Sequence, residues 1–548
     1  MNAVDYLIVF GFIGLTFYVG SVFYKWVGSA DDFYVAGRKL TPFILAAVLT
    51  ATNVNLYSFV GQAGIVYREG IGILWQTWTG NMALVFSGLF VLPIFRRLRI
   101  KTIPEFLELR YTKSVRTFVA LIWIVRLTFW LGVISYTAAI AAIPLTGWDS
   151  FTGWILIFSL VAIAYTTLGG MWSVAFTDVM QFVFMLLGAL IVLPLAMAKV
   201  GWWPALVQQL PEQATTLVAQ SGSYNWKFIL AIFLLGIEWA CVDQGLLQRA
   251  FAAENTKTVA RGLVLAGIVT TPFALLWNLP GLAARVLYPG LANADSAIPT
   301  LLANLLPNIV LGVVVCGLIS SHLSTISANL NGVATIVASD LYESVVNRRA
   351  TDREILRVAR WVTALTGVVM IAFAHLVPKL GGAVEAYLTI VAIMDMPLFI
   401  IAVVYGLLWR RANAVGALTG YMAGAASGIV GMFGLGFDFN LTTFLSAGVT
   451  LLVTPVVSAL TKHNESATID AIWSAKTSSA EEDLSGTRYD ILPRSASGKL
   501  SLGLLGFGLL MFFGGVLLGS TASPFASPFA VGGMVLYFAG GLWRAYAD

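Results

Sequence analysis

Cysteine occurs twice and histidine three times in 548 residues, and Asp, Glu, Lys and Arg together make up only 11% of the chain. So few thiols and imidazoles leave no disulfide framework and no Cys/His zinc spacing. Cys241 and Cys316 both lie in apolar stretches. The shortage of charge excludes a soluble globule, whose surface needs about a quarter charged residues. A net charge of +5 is too slight to point to a nucleic-acid partner and reflects loop topology instead. The opening stretch "MNAVDYLIVFGFIGLTFYVGSVFYKW" lacks a basic n-region and a small-residue cleavage site. It reads as a first spanning helix that stays.

What the chain has is apolar bulk: 58% hydrophobic residues, 34 Phe, 17 Trp and a mean hydropathy of +0.85. Apolar runs of about 20 residues cross the ~30 Å hydrocarbon core as helices, because lipid leaves the backbone no other hydrogen-bond partner. About fifteen such runs centre near residues 15, 53, 84, 130, 159, 187, 238, 272, 322, 366, 397, 424, 449, 509 and 536. The fold class is therefore all-α and integral to the lipid bilayer. Basic clusters mark the odd connections: "RRLRIKTIPEFLELRYTKSVR", "NRRATDREILRVARW", Arg249 with Lys257 and Arg261, and Arg410 with Arg411. By the positive-inside rule the N-terminus is expected outside and the C-terminus in the cytoplasm.

Residues 461–498 break the apolar pattern with a polar stretch of mixed charge. It reads as a solvated cytoplasmic linker before two terminal helices. The second span is interrupted by "TATNVNLYS" and the seventh by "GIEWACVDQG". Interruptions at corresponding places in two halves are the mark of an inverted-repeat transporter with its site at the midplane. Polar residues facing neighbouring helices would explain each segment by itself.

The ninth span carries "CGLISSHLSTISANLNG". Ser321, Ser324, Thr325 and Ala328 follow i, i+3, i+4, i+7 and share one face. Hydroxyls, with carbonyls freed at a helix break, suit a small hard cation. Small residues that merely let helices approach would leave the same stripe. His322 points about 100° away from Ser321 and is expected to pack against a neighbour.

In several segments the chain resembles the solute:sodium symporter family, whose bacterial sodium/galactose and sodium/proline carriers share a LeuT-like core. The resemblance rests on "DDFYVAGRKL", "KTIPEFLELRY", "GGMWSVAFTDVMQ", "QGLLQRAFAAENTKTVARG", "ANLNGVATIVASDLY" and "YGLLWRRANAVGALTGYMAG", in that order. It implies a LeuT-like 5+5 inverted repeat over residues 31–412, with repeats at about 40–200 and 225–412. An extra helix would precede it in residues 1–30. Two helices would follow in 413–460, then the linker 461–498 and two more helices in 499–548. The setting implied is a plasma membrane, as in a bacterial inner membrane.

Carried over by position, the family's sodium site falls on carbonyls of Ala51 and Val54 and on Ser321, Ser324 and Thr325. Asp178 matches an aspartate tied to sodium binding or release, although a carboxylate there could also cap its helix. The family's sugar contacts fall on Asn53, Tyr57, Ser58, Thr77, Gly80, Gly236, Thr270 and Thr389, so its usual glutamate, glutamine and lysine contacts are missing. Trp239 matches a gating aromatic. Trp75, Trp78 and Trp239 could stack on a solute face. Glu238 and Asp243 flank the second interruption, where ionisable groups are costly. Arg126 and Asp395 are further charges at membrane depth, and an internal Arg–carboxylate pair is as good a reading as a solute contact. The expected activity is sodium-coupled import of a small polar organic solute by alternating access, with a sugar or polyol leading. Amino acids, carboxylates and nucleosides, or proton coupling, remain open. No catalytic cluster suggests an enzyme, and the short tail is not expected to hold a signalling domain.

Overall fold

The computed structural model describes residues 1–24, 36–462, 467–477 and 489–547. Residues 31–35 of "DDFYVAGRKL" and residues 463–466 and 478–488 of the linker lie outside them. No strand forms among the described residues, where two isolated bridges, Leu40 with Ala253 and Ala219 with Asn225, are the whole of the β pairing. Twelve helices there are long and apolar enough to cross a bilayer, two bent pairs qualify jointly, and Phe151–Ala164 is a shorter apolar helix. These segments fall in order on the fifteen centres expected from hydropathy.

In chain order the helices are α1 (Ala3–Tyr24), α2 (Pro42–Asn53), α3 (Tyr57–Arg68), α4 (Ile71–Arg97) and α5 (Ile103–Arg110). Next come α6 (Lys113–Thr146), α7 (Phe151–Lys199), α8 (Trp226–Val242), α9 (Gln244–Phe251) and α10 (Thr256–Leu287). Then follow α11 (Ala297–Leu305), α12 (Val310–Val346), α13 (Asp352–Ala374), α14 (Ala383–Leu408) and α15 (Ala414–Gly434). The last are α16 (Phe439–Leu460), α17 (Ala467–Ser474), α18 (Ala496–Thr521) and α19 (Ala526–Tyr546). One detail differs from expectation. The fifth and sixth spans share the continuous helical backbone of α7, since Gly169 and Gly170 alone, without proline or a polar turn cluster, do not end a helix.

The helices sort into two groups. α2, α4, α8 and α10 pack on one another, and so do α6, α7, α12 and α13. α2 touches both groups through α7 and α12. The hairpin of α18 and α19 docks on the first group, where the Tyr537 hydroxyl donates to the Met82 carbonyl at 3.0 Å. α1 lies along α7 and α12. Its Asp5 Oδ1 accepts the amides of Ile309 at 2.7 Å and Gly312 at 3.2 Å, so a carboxylate caps the start of α12.

The polar segments quoted above meet at one end of the bundle. Thr102 caps α5, accepting the Glu105 amide, and its hydroxyl donates to Asp340 Oδ1 at 2.9 Å. Arg116 pairs with the same Asp340 at 2.7 Å. Gln244 accepts from the Ile103 amide and donates to the Lys101 carbonyl. Arg110 donates to the carbonyls of Gly406, Trp409 and Ala412, clamping the turn between α14 and α15. The linker joins them. Within α17 and just beyond it, Ile472 and Ala475 are buried, and the Trp473 ring receives Lys476, Arg410 and Arg110 at 4.0, 5.2 and 5.7 Å. Arg97 donates to the carbonyls of Ala475 and Tyr489. This stretch is docked rather than solvated.

Candidate ion and solute site

Local sequence sets both helix breaks. α2 ends at Asn53, and Val54 turns extended, at φ −90° and ψ 102°. Asn55 restarts the chain: its carbonyl accepts the amides of Ser58 and Phe59, and its side chain also meets the Ser58 amide at 3.3 Å. α2 and α3 are bent by 50°. At the second break Asp243 is extended and caps α9 by accepting the Leu246 amide at 3.1 Å; α8 and α9 are bent by 45°. Carbonyls in the last turn of α2 lie beyond the helix's own donors.

α12 faces the first break. The Thr325 hydroxyl sits 3.1 Å from the Thr52 carbonyl and 3.1 Å from the Ser321 carbonyl. Ala51 and Val54 are fully buried beside it in the chain. Thr52 was not singled out from the sequence, although it stands within the same "TATNVN" segment. The Ser321 hydroxyl bonds back to the Leu318 carbonyl at 2.9 Å. Ser324 lies against Asp178, and its buried Oγ meets no partner in good hydrogen-bond geometry. Asp178 pairs with Arg249 at 2.8 Å, both fully buried, and its second oxygen is unpartnered. The candidate ion ligands thus divide into Thr325 at the break and Ser324 with Asp178 behind it. Ser324 Oγ with Asp178 Oδ1 in one group, and the Thr325 hydroxyl with the break carbonyls in the other, each offer only oxygen, the donor type that suits an alkali cation. Arg249 reads as one more loop charge in the sequence and is instead interior. His322 packs edge-on to Phe158 at 5.1 Å.

Beside the break lies a cavity of about 120 Å³. Asn53, Tyr57, Ser58, Thr77, Gly80, Gly236, Trp239 and Asp243 all line it. A Cβ on Gly236 would stand 3.2 Å from the Gly80 backbone, so glycine lets α8 approach α4. Trp75, Trp78, Glu238, Thr270 and Thr389 stand outside the lining. The indoles of Trp75 and Trp78 donate to the carbonyls of Leu217 and Thr271. Thr270 meets Thr50 at 3.3 Å, and Thr389 bonds back to the Glu385 carbonyl.

Sequence reasoning missed several wall residues. Gln76 meets both the Tyr57 hydroxyl at 3.1 Å and Gln62 at 3.0 Å, and Thr77 donates to Gln62 at 3.1 Å. Tyr57, Trp130 and Tyr387 form an aromatic triad with centroids 5.0 to 5.4 Å apart. Arg126 also lines the cavity, engaging Asp395 at 2.6 Å and Asp243 at 3.2 Å while lying over the Trp123 ring. Among the described residues no group of three His, Cys, Asp or Glu side chains is placed to hold a metal ion.

Known proteins are similar to this chain in sequence and in fold. Residues 33–424 match the model of the Sodium:solute symporter family. A sodium/glucose cotransporter of Vibrio parahaemolyticus is 28% identical over 72% of this chain and 78% of its own length. A sodium/pantothenate symporter of Haemophilus influenzae is 26% identical over 76% of this chain and 88% of its own. The solved structure of a Na⁺-coupled sialic acid symporter superposes with a TM-score of 0.77 at 20% identity, covering 85% of this chain and 99% of that one. A nucleobase-cation-symport-1 family transporter reaches 0.53 at 16% identity, over 81% and 98%. These likenesses show the LeuT-like fold.

Proposed function

Because the chain belongs to the sodium:solute symporter family, a family of transporters rather than enzymes, we propose that it moves a small polar organic solute inward across the plasma membrane together with sodium. The N-terminus lies outside and the C-terminus in the cytoplasm. Sodium sits between the first break and α12, held by carbonyls near Ala51, Thr52 and Val54 and by the hydroxyls of Thr325 and Ser321. Asp178 and Ser324 give it a second resting place behind. The single observation carrying this reading is the Thr325 hydroxyl 3.1 Å from the Thr52 carbonyl, across the break.

A cation shared by a broken helix of one group and an unbroken helix of the other favours one arrangement of the two groups. The break also supplies the floor of the cavity, through Asn53 and Tyr57. Sodium and solute therefore stabilise the same state and must strengthen each other's binding equally. Rocking one group against the other then exposes both to the opposite side. The solute is a hydrogen-bonding one, because the wall offers the unpartnered Asn53 Nδ2 and Asn329 Oδ1 beside the hydroxyls of Tyr57, Ser58 and Thr77.

The test is a thermal-shift screen of the purified chain against a library of sugars, polyols, amines, amino acids, carboxylates and nucleosides, with and without sodium. A solute that raises the unfolding temperature only with sodium is expected. Stabilisation indifferent to sodium but tracking pH would replace sodium with a proton.

A further inference from the structure

The charges around the cavity do not balance. Arg126 is the one cationic side chain in the cavity wall among the described residues, and its Nε, Nη1 and Nη2 each donate to Asp395 or Asp243. Glu238, 1% exposed, lies within electrostatic reach of Arg126, Asp395 and Asp243, with Oε1 unpartnered. One guanidinium thus faces three carboxylates. The nearby Asp178 and Arg249 pair is neutral as a unit and contributes nothing to the sum.

A buried negative surplus is costly unless something positive offsets it. Asp243 and Asp395 alone outnumber the guanidinium by one, a surplus that a positive group in the cavity offsets. The oxygens are also arranged to receive a donor. Asn329, 4% exposed, lines the cavity with Oδ1 unpartnered. A Cβ on Gly245 would stand 3.3 Å from both Asn329 Oδ1 and Asp243 Oδ1, so the two acceptors converge on one spot. The triad of Tyr57, Trp130 and Tyr387 adds π-electron density to the same cavity, and aromatic faces attract cations.

We propose that the solute binds as an organic cation, its ammonium group drawn to Asp243, Asn329 and the aromatic triad, and that solutes carrying a carboxylate are excluded because the carboxylates facing Arg126 already outnumber its charge. This deepens the transport reading and rests on it.

The test needs no knowledge of the natural solute. Thr77→Cys places a thiol in the cavity wall of the full chain in detergent; the native Cys241 and Cys316 are buried, and the unmodified chain sets their background. Its reaction rates with a trimethylammonium and a sulfonate methanethiosulfonate are each divided by the rate with a free thiol. The cationic reagent is expected to react about tenfold faster or more, as for a surplus charge acting within the wall of a partly desolvated cavity. Asp243→Asn, which keeps an Oδ1 acceptor for the Leu246 amide, should move that ratio toward unity. Equal rates, or a faster anionic reagent, overturn the proposal. Ser58→Cys provides the same measurement where Thr77→Cys does not fold. In a second arm, tetramethylammonium should slow labelling and acetate should not; protection by acetate alone overturns the exclusion of carboxylates. Neither ratio depends on sodium coupling. Loss of the sodium effect on stability with the cation preference intact would therefore sink the transport reading and leave the cationic cavity standing.

Discussion

Thr325→Val keeps the shape of the side chain and replaces its hydroxyl with a methyl group. Two effects follow, and they separate. Without sodium, the Thr52 carbonyl loses the donor now 3.1 Å away, which costs about 1 kcal/mol as for an ordinary hydrogen bond. With sodium, an oxygen ligand to a charge is gone. Interactions of a polar group with an ion are worth about 1.5–3 kcal/mol, and each 1.4 kcal/mol is about tenfold in affinity. The sodium dissociation constant should rise between about tenfold and a hundredfold. At a sodium concentration near 100 times the native constant, the native chain gains about 2.7 kcal/mol from binding. The variant should gain no more than about 1.4 kcal/mol there. The assay is a sodium titration of the unfolding temperature at constant ionic strength, with choline-free, non-transportable salt making up the balance. Thr325→Ser should restore the native midpoint. Ser320→Ala should leave it in place, since Ser320 is turned about 140° around the helix from Thr325. An unchanged midpoint in Thr325→Val would refute the placement of sodium at the break, whatever the variant's basal stability.

Hydropathy was enough to locate the spans, because lipid imposes a length and a composition that survive without any knowledge of neighbours. The breaks were legible too: "TATNVN" and "CVDQG" put Asn55 and Asp243 where a side chain can take over from the helix ladder. Apart from the pairing of Arg126 with a carboxylate, which its depth in the membrane suggested, the sequence did not reveal pairings between distant segments. Arg249 counts as a loop charge by position, yet it meets Asp178 from 71 residues away. Trp75 and Trp78 look like stacking surfaces, but carbonyls of Leu217 and Thr271 consume their indole donors. The linker misled by composition. Ile469, Ile472 and Trp473 do follow i, i+3, i+4, but over an eight-residue helix that is too short a window to stand out from a polar tract, and its docking depends on Arg97, Arg110 and Arg410 arriving from other elements. The cavity glutamines escaped notice for a related reason: Gln62 and Gln76 matter through each other, across a turn.

Removing Arg249 alone, as Arg249→Met, should destabilise the chain by about 3–5 kcal/mol because it strands a buried carboxylate. The double variant with Asp178→Asn should recover much of that loss, and a double-mutant cycle of unfolding temperatures that shows simple additivity would deny the pairing. Trp473→Ala should cost about 1–2 kcal/mol through the lost cation contacts and should speed tryptic cleavage after Lys476, which limited proteolysis reads directly; unchanged cleavage would mean that the ring does not hold α17. A pH effect follows at Asp295, between α10 and α11. Burial pushes its carboxyl from 3.8 up to about 6, against the amide of Ala383 and the hydroxyl of Tyr136, which lower it; Glu385 nearby raises it and Arg68 lowers it. A carboxyl whose folded value lies above its unfolded one supports the fold below the unfolded value and loses that support as pH rises through the folded one. Stability should therefore fall between pH 4 and 7, by no more than about 3 kcal/mol at 1.36 kcal/mol per pKa unit. Asp295→Asn keeps an acceptor for Tyr136 and Ala383 but has no proton to lose, so its advantage over the native chain should be small at pH 4.5 and should grow through pH 6. An advantage that stays level across that range would show that Asp295 ionises without cost, and that the bonds from Tyr136 and Ala383 outweigh its burial.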